Sequence, residues 1–195
     1  MLSKTDIQQY LDKAISFEKY FQVFEERSIK IKSGNTEGIA YSEYYLLNFQ
    51  RLKRGLKTVL SSDLLESINR LDQKITWLTI SEYWCGDAAQ SLGIVKNIAD
   101  VSDGKVDLKI VFRDENLELM DEFLTNGGRA IPKIIQLNST QDIISSWGPR
   151  PSEAQDLVQK KLKEKEPYAK DLHKWYATNK AVDLQKELGS FLSKQ

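Results

Sequence analysis

The sequence of 195 residues contains one cysteine, Cys85, and one histidine, His173. A single cysteine excludes a disulfide within the chain, and with it the disulfide-rich class of small secreted proteins. The same scarcity argues against a Cys/His zinc site within one chain, because such a site needs about four ligands. We therefore expect no metal and no cofactor, and we expect His173 to lie at the surface.

The chain also lacks long apolar segments and an excess of charge of either sign. No apolar segment approaches the roughly 18 residues that a membrane helix needs. Residues 1–6 are polar rather than typical of a secretory signal. Lys plus Arg and Asp plus Glu each number 28, so the formal net charge is zero. We expect a cytoplasmic protein with neither a membrane nor a nucleic-acid partner.

Helical periodicity dominates the N-terminal third of the chain. Apolar side chains recur on one face over residues 5–26 and again over residues 42–60, which predicts two helices. Residues 61–63 predict the cap of a third, short helix that continues to residue 71. The second helix carries a basic face, which we interpret as solvated rather than as an RNA-binding patch. Its basic residues are Arg51, Lys53, Arg54 and Lys57.

Strand and helix patterns alternate in the rest of the chain, which predicts an α/β fold. In chain order they are strand 75–83, helix 86–99, strand 106–113, helix 116–125, strands 133–137 and 142–147, helix 152–165, a helix from Pro167, and a last turn or two to residue 191.

Cys85 lies where the first strand pattern turns into a helix pattern. Unpaired backbone N–H groups and the helix dipole favour negative charge at such a position. They therefore favour the thiolate, which is the form that attacks disulfides. Asp87 opposes this effect, because a second negative charge near the sulfur disfavours the thiolate. From the balance we expect a thiolate that is only modestly favoured.

These residues resemble the thioredoxin family, which carries Trp-Cys-Gly-Pro-Cys after its central strand and a cis-proline before a later strand. Trp84, Cys85 and Gly86 match the first three motif positions, and Pro132 follows Ile131 at the cis-proline step. A closer resemblance is to a divergent bacterial group with a single-cysteine Trp-Cys-Gly-Asp-Ala motif.

The resemblance implies a thioredoxin-like α/β fold, in which a central mixed β-sheet is flanked by helices. We therefore predict a single thioredoxin-like domain over residues 1–195. Within it, a mainly helical N-terminal extension covers residues 1–72, the thioredoxin core covers 73–165, and a helical C-terminal extension covers 166–195.

The resemblance also implies a site built from two segments. Cys85 is the implied catalytic nucleophile, with an inert core thiol as the alternative. The residues implied to support it are Trp84, Gly86, Asp87 and Ala88, and those implied to form a substrate groove are Arg129, Ile131 and Pro132. In this family the residue before the cis-proline offers its backbone N–H and C=O groups to extended substrates by strand addition. A purely structural turn is the alternative for Pro132.

The departures from the family pattern limit the chemistry. Ala88 stands where the family has its resolving cysteine, so Cys85 has no internal thiol with which to form a disulfide. Asp87 replaces the motif proline and is interpreted as a helix N-terminal acid, a proton donor, or the partner of a cation. The candidate cations are Arg113 and Arg129.

Three functions follow as hypotheses. The first is a monothiol thiol–disulfide oxidoreductase that acts on protein or small-molecule thiols and disulfides, with an external thiol as resolving partner. The second is a non-catalytic binding module that uses the Pro132 groove. The third is an iron–sulfur cluster shared by two copies of Cys85 across a dimer. The pKa of the Cys85 thiol separates the first two, because a reactive thiol titrates below about 8.5.

Overall fold

The computed structural model describes residues 4–194, with side chains from residue 6 onward; residues 1–3 and 195 of the predicted extensions lie outside this part. The helices are α1 (Lys4–Lys13), α2 (Phe17–Lys32), α3 (Tyr45–Gly55), α4 (Ser62–Asn69), α5 (Gly86–Val101), α6 (Leu117–Asp121), α7 (Ser152–Lys163), α8 (Ala169–Asn179) and α9 (Val182–Leu192). The strands are β1 (Ile15–Ser16), β2 (Ile75–Ser81), β3 (Val106–Phe112), β4 (Lys133–Leu137) and β5 (Ile143–Trp147). The division into a core and two extensions stays a prediction.

The five strands form one mixed sheet in the order β1-β3-β2-β4-β5. The central strand β2 runs parallel to β3, with Ile75 opposite Val106, and antiparallel to β4, with Thr79 opposite Ile134. Nearly every residue of β2 is buried, so both faces of the sheet are covered at its centre. The predicted α/β fold, a central mixed sheet flanked by helices, is confirmed. None of the described helices is both long and apolar enough to cross a membrane.

Aromatic side chains pack the N-terminal helix α2 against the loop that follows β2. Tyr20 and Phe24 of α2 lie 4.5 Å and 4.9 Å from Tyr83, measured between ring centroids. All three side chains are buried, and ring pairs at these distances add to the stabilisation that burial gives. Tyr83 precedes the Trp84–Cys85 pair by one position, so this cluster fixes the start of the loop that carries the cysteine.

The single helix predicted over residues 5–26 is wrong, because the chain is interrupted between α1 and α2. Ser16 has an extended backbone and caps α2, since its hydroxyl accepts the Lys19 N–H at 3.2 Å. Ile15 and Ser16 pair antiparallel with β3, Ile15 lying opposite Ile110. The short strand β1 thus covers an edge of β3 that would otherwise expose unpaired backbone groups, and helical periodicity gives no signal for that pairing.

Other helix boundaries differ from the patterns at their ends. A 3-10 turn at Ser42–Tyr44 precedes α3, and α3 ends at Gly55 rather than at residue 60. Helix α8 begins at Ala169 rather than at Pro167, and the C-terminal segment is an 11-residue helix rather than a turn or two. Strand β4 has the predicted bounds, and Ser61 caps α4 as predicted.

Helices α3 and α5 approach closely at a pair of glycines. A β-carbon placed on Gly93 would lie 2.5 Å from the Leu56 backbone nitrogen and 2.6 Å from the Gly55 carbonyl carbon. No side chain fits at such distances. Asn97 strengthens the crossing, because its amide donates to the carbonyl of Gly55 at 3.3 Å and to that of Thr58 at 3.1 Å. The crossing therefore sets the distance between α3 and the first turns of α5.

Gly93→Ala is expected to destabilise the protein by roughly 2 kcal/mol, because the added methyl group meets backbone rather than a side chain that could rotate away. The loss outweighs the gain of up to about 1 kcal/mol that alanine gives in a helix. Chemical denaturation measures the change. Gly128→Ala is the control, since a β-carbon there would lie 3.5 Å from its nearest neighbour, the Thr125 carbonyl oxygen. Equal stability of the two variants would contradict the close crossing.

Candidate functional site

Cys85 ends the loop between β2 and α5 and is the N-cap residue of α5. Its backbone is extended, with φ −77° and ψ 118°, and its N–H donates to the Glu82 carbonyl at 3.2 Å. The Ala88 N–H donates to the Cys85 sulfur over 3.4 Å. That N–H is one of the groups that the first turn of a helix leaves without an internal partner. This is the helix-start position that the sequence pattern predicts for Cys85.

The segment before β4 meets Cys85 from the other side. The Ile131–Pro132 peptide bond is cis, and the Cys85 thiol donates to the Ile131 carbonyl oxygen at 3.2 Å. The two residues are 46 positions apart in the chain, so the tertiary fold alone brings them together. Ile131 and Pro132 are both buried.

The Cys85 thiol is 7% exposed, and its pKa is raised to about 12. Burial is the largest cause, because it disfavours the charged form, and the Asp87 carboxylate is the second. The Ala88 N–H lowers the pKa without offsetting either. The expectation of a modestly favoured thiolate is therefore wrong, since the sequence pattern carries the helix dipole and the Asp87 charge but not the desolvation of the sulfur.

Asp87 is buried and holds two partners from the C-terminal part of the chain. One carboxylate oxygen, Oδ2, accepts from Arg150 Nη2 at 2.6 Å and from Arg150 Nε at 3.0 Å. The other oxygen, Oδ1, accepts the Tyr176 hydroxyl at 2.7 Å. Asp87 is thus the partner of a cation, but that cation is Arg150 and neither of the two arginines named from the sequence.

Those two arginines pair with other carboxylates. Arg129 is exposed and makes a bidentate ion pair with Asp121 of α6, at 2.6 Å and 2.7 Å. Arg113 pairs with Asp114 at 2.7 Å, and its guanidinium lies 4.6 Å from the centre of the Trp84 ring. Trp84 is half-buried beneath this cation, which supports its ring beside the thiol.

The turn after β5 carries Arg150 to Asp87. Gly148 in this turn has φ +119°, and a β-carbon there would lie 2.2 Å from the Pro132 carbonyl oxygen. Only glycine fits this close approach. Arg150 follows two residues later and also donates to Gln155 of α7 at 2.7 Å. The turn therefore rests on the Pro132 segment while its arginine reaches the first turn of α5.

Arg51 corrects the interpretation of the basic face of α3. Lys53, Arg54 and Lys57 are exposed, but Arg51 is 9% exposed and lies against the site. Its Nη1 donates to the Asn48 side-chain oxygen at 3.1 Å, and the Asn48 amide donates to the Tyr83 carbonyl at 3.2 Å. The buried position follows from the crossing of α3 over α5, which helical periodicity alone does not report.

A cavity of about 410 Å³ lies over these residues. Its walls come from α3, the loop before α5, the segment before β4, and α8, and Cys85 is among the residues that line it. The polar and charged side chains among its lining residues include Asn48, Arg51, Asp87, Arg113, Arg129, Arg150, His173 and Tyr176. The cavity unites most of the predicted site, namely Trp84, Cys85, Gly86, Asp87, Arg129 and Ile131. Ala88 lies beneath it, fully buried.

Arg150, Tyr176 and Arg51 are the site residues that sequence reasoning missed. Arg150 stands between two prolines, which signals a fixed turn, but nothing in that signal joins it to Asp87, which lies 63 positions away. Tyr176 falls on an apolar helix stripe, a pattern that predicts packing and not a hydrogen bond to Asp87. Within the described part of the chain, no group of three or more His, Cys, Asp or Glu side chains is placed to hold a metal ion.

Comparison with known proteins agrees with this architecture. The family model described as Thioredoxin matches residues 34–165. A crystal structure of a protein of unknown function from Pseudomonas aeruginosa is 15% identical, with a TM-score of 0.66 over 97% of this chain and 96% of that one. An HIV epitope-scaffold is also 15% identical, with a TM-score of 0.61 over 93% of this chain and 99% of its own. No curated protein matches the chain.

Asp87→Asn is expected to lower the pKa of Cys85 and to destabilise the protein. The thiol loses a nearby negative charge, while Arg150 keeps its positive charge without a carboxylate partner. Breaking a buried ion pair on one side costs roughly 3 kcal/mol. Thiol titration by ultraviolet absorbance and chemical denaturation measure the two effects.

Asp121→Asn is the matched control for this change. It removes the carboxylate partner of Arg129, another arginine of the same cavity, but this carboxylate is exposed and is not among the causes of the Cys85 shift. The control should leave the pKa of Cys85 unchanged. An unchanged or higher Cys85 pKa in Asp87→Asn would show that Asp87 does not act on the thiol.

Glu82 should make the stability of the protein depend on pH. Its carboxyl is buried, accepts the Asp114 N–H at 2.9 Å, and has a pKa raised to about 7, chiefly by burial. Between about pH 4.5 and 7 the unfolded chain gives up this proton first, so the free energy of unfolding falls as pH rises. Glu82→Gln removes this pH-dependent fall in the free energy of unfolding, because the amide does not titrate. Its side-chain oxygen can still accept the Asp114 N–H.

The Glu82→Gln variant is therefore expected to match the wild type near pH 4.5 and to exceed it by on the order of 2 kcal/mol at pH 8. Urea denaturation across this pH range measures the difference. Glu66→Gln, at an exposed ion pair with Arg70, should show no such trend. A constant difference between wild type and Glu82→Gln at all pH values would sink this account of Glu82.

Proposed function

This chain belongs to the thioredoxin family, and we propose that it works as a binding module whose single thiol is masked in the resting state. One observation carries the proposal: Cys85 is buried and its thiol is hydrogen-bonded to the Ile131 carbonyl, in a setting that raises the pKa of the thiol. A nucleophile needs the thiolate, and this arrangement opposes it. The Trp-Cys-Gly-Asp-Ala motif at residues 84–88 supports membership of the divergent single-cysteine bacterial group.

The partner that this geometry favours is an extended protein segment. Ile131 lines the cavity, and its carbonyl oxygen has a second lone pair with which to accept a hydrogen bond when the thiol uses the first. Two aromatic side chains, Tyr41 and Tyr44, are 55% and 52% exposed close to this cavity, Tyr41 packing on Trp84 at 5.2 Å. Exposed aromatic side chains at the edge of a concave site are frequent anchors for partners. We place this activity in the cytoplasm, without nucleic acid or membrane.

Monothiol thiol–disulfide exchange is the second candidate. The Ala88 N–H aimed at the sulfur favours it, as does the opening of the cavity at Cys85. In this reaction the Cys85 thiolate attacks one sulfur of a partner disulfide, a mixed disulfide forms, and the other sulfur leaves as a thiolate. An external thiolate then attacks the mixed disulfide and releases Cys85, because Ala88 provides no internal thiol. The raised pKa of Cys85 disfavours this function, because the reaction needs the thiolate.

Binding of an iron–sulfur cluster between two copies of the chain is the function that fits this site least well. An iron–sulfur cluster shared between two copies needs the sulfur of each Cys85 at the surface, because each would bind the shared iron atoms. The residue is only 7% exposed. The binding module and the monothiol enzyme are therefore the two functions to separate.

Alkylation of Cys85 separates them. With a thiol pKa of about 12, iodoacetamide should react at pH 7 more than about a hundredfold more slowly than with a free cysteine, whose pKa is about 8.5. The same chain unfolded in guanidinium is the control and should react at the ordinary rate. A thiol that titrates below about 8.5 in the folded protein and forms partner mixed disulfides would overturn the binding proposal in favour of monothiol exchange.

Site-specific photo-crosslinking tests the binding itself. A photoreactive amino acid at Tyr44 should capture defined partners in cells, and capture should persist in a Cys85→Ser background because binding does not need the thiol. The same label at Val182, which is 63% exposed and does not line the cavity, is the control. Capture that disappears with Cys85→Ser would identify covalent exchange instead.

A further inference from the structure

The cavity over Cys85 has an excess of positive charge. Four arginines and His173 line it, against one carboxylate, Asp87. Three of the arginines hold carboxylate partners: Arg150 with Asp87, Arg113 with Asp114, and Arg129 with Asp121. The fourth, Arg51, pairs with no carboxylate among the side chains that the structure describes.

Arg51 carries its positive charge in a buried position, where an unpaired cation costs free energy. The residue is nine-tenths buried, and within residues 6–194 the only hydrogen bond of its guanidinium runs from Nη1 to the Asn48 oxygen. A guanidinium has five N–H donors in a planar fork. A buried charge without a counter-ion costs free energy that an incoming anion recovers. The remaining donors of Arg51 therefore make it a ready site for an oxyanion in the cavity.

The start of α5 lies directly beneath this guanidinium. A β-carbon placed on Gly86 would lie 3.5 Å from Arg51 Nη1 and 3.8 Å from His173 Cε1. Gly86 is the first residue of a 16-residue helix, and the N-terminus of a helix favours negative charge. Arg51, His173 and the helix N-terminus thus converge on one place, where the nearby Asp87 carboxylate is already engaged by Arg150.

We propose that the cavity takes an acidic ligand, whose carboxylate or phosphate group binds Arg51 over the N-terminus of α5. The inference rests on the proposed function in that it names the chemistry of the partner bound beside Ile131. A carboxylate or a phosphate offers two oxygens to the guanidinium fork, and bidentate pairing of this kind is both strong and directional. The absence of a side chain at Gly86 lets the guanidinium lie close to the start of the helix, so an anion bound to Arg51 is also near the helix N-terminus.

His173 reports on this site, because it is the single histidine of the chain. Burial and the Arg51 charge lower its pKa, while the Asp87 charge raises it. An anion bound at Arg51 offsets the positive charge and should raise the pKa of His173. The resonance of its ring in NMR spectra therefore follows binding without any need for an active enzyme.

The experiment titrates the whole chain with two probes at constant ionic strength, N-acetyl-glutamate amide for a carboxylate and inorganic phosphate for a phosphate. Saturable movement of the His173 resonance with either probe is expected, and the tighter of the two identifies the source of the oxyanion. Arg51→Gln should weaken binding at least tenfold, and Arg51→Lys, which keeps the charge but loses the fork, several-fold. Arg70→Gln, at an exposed arginine outside the cavity, should bind like the wild type.

Saturable binding that is unchanged in folded Arg51→Gln, or that neither probe produces in the wild type, would overturn the inference. If Arg51→Gln does not fold, Arg51→Lys decides alone, with wild-type affinity as the contradicting result. A negative result in this titration does not affect the interpretation of the Tyr44 crosslinks, because the crosslinks test whether a partner binds and not whether that partner is acidic. Loss of the crosslinks with intact probe binding would reject the module and keep the oxyanion site.

Discussion

The buried ion pair between Asp87 and Arg150 joins the first turn of α5 to the turn after β5. Asp87 raises the pKa of the neighbouring thiol, and Arg150 lowers it. The two side chains lie 2.6 Å apart, and the effect of Asp87 on the thiol pKa is the larger of the two, but desolvation exceeds both and decides the protonation of the sulfur. Tyr176 completes the group from α8. The turn after β5 and helix α8 therefore belong to the chemistry of the thiol, because without Arg150 and Tyr176 Asp87 would be a buried charge with no partner.

The crossing of α3 and α5 is the second constraint on the site. Gly93 lets the two backbones meet, and as a result Asn48 and Arg51 of α3 reach the loop before α5. Asn48 ties α3 to the Tyr83 carbonyl, and Arg51 lies over Gly86. The N-terminal helices thus supply one wall of the cavity and its one arginine without a carboxylate partner in the described chain. Gly93 therefore determines which cation lies over the start of α5.

Local features of the fold could be predicted from the sequence, and contacts between distant segments could not. Cys85 at a helix start and the bounds of β4 follow from neighbouring residues, which is why pattern reasoning finds them. The pairing of Ile15 with β3 depends on a free sheet edge. The burial of Arg51 depends on a helix crossing, and the arrival of Arg150 depends on a turn 63 residues from Asp87. Each of these features depends on a tertiary contact, which the local sequence pattern does not predict.

The replacement of the resolving cysteine by Ala88 and the presence of Asp87 both disfavour thiol–disulfide exchange at Cys85. Ala88 removes the internal exit for a mixed disulfide, although its N–H donates to the sulfur. Asp87 brings Arg150 into the site, but the carboxylate has the larger effect on the pKa of Cys85. Because burial and the Asp87 charge raise the pKa of Cys85, a change in the solvation or the charge of the cavity would change the protonation of the thiol. Under the proposed function, ligand binding in the cavity and any chemistry of the thiol would therefore be coupled.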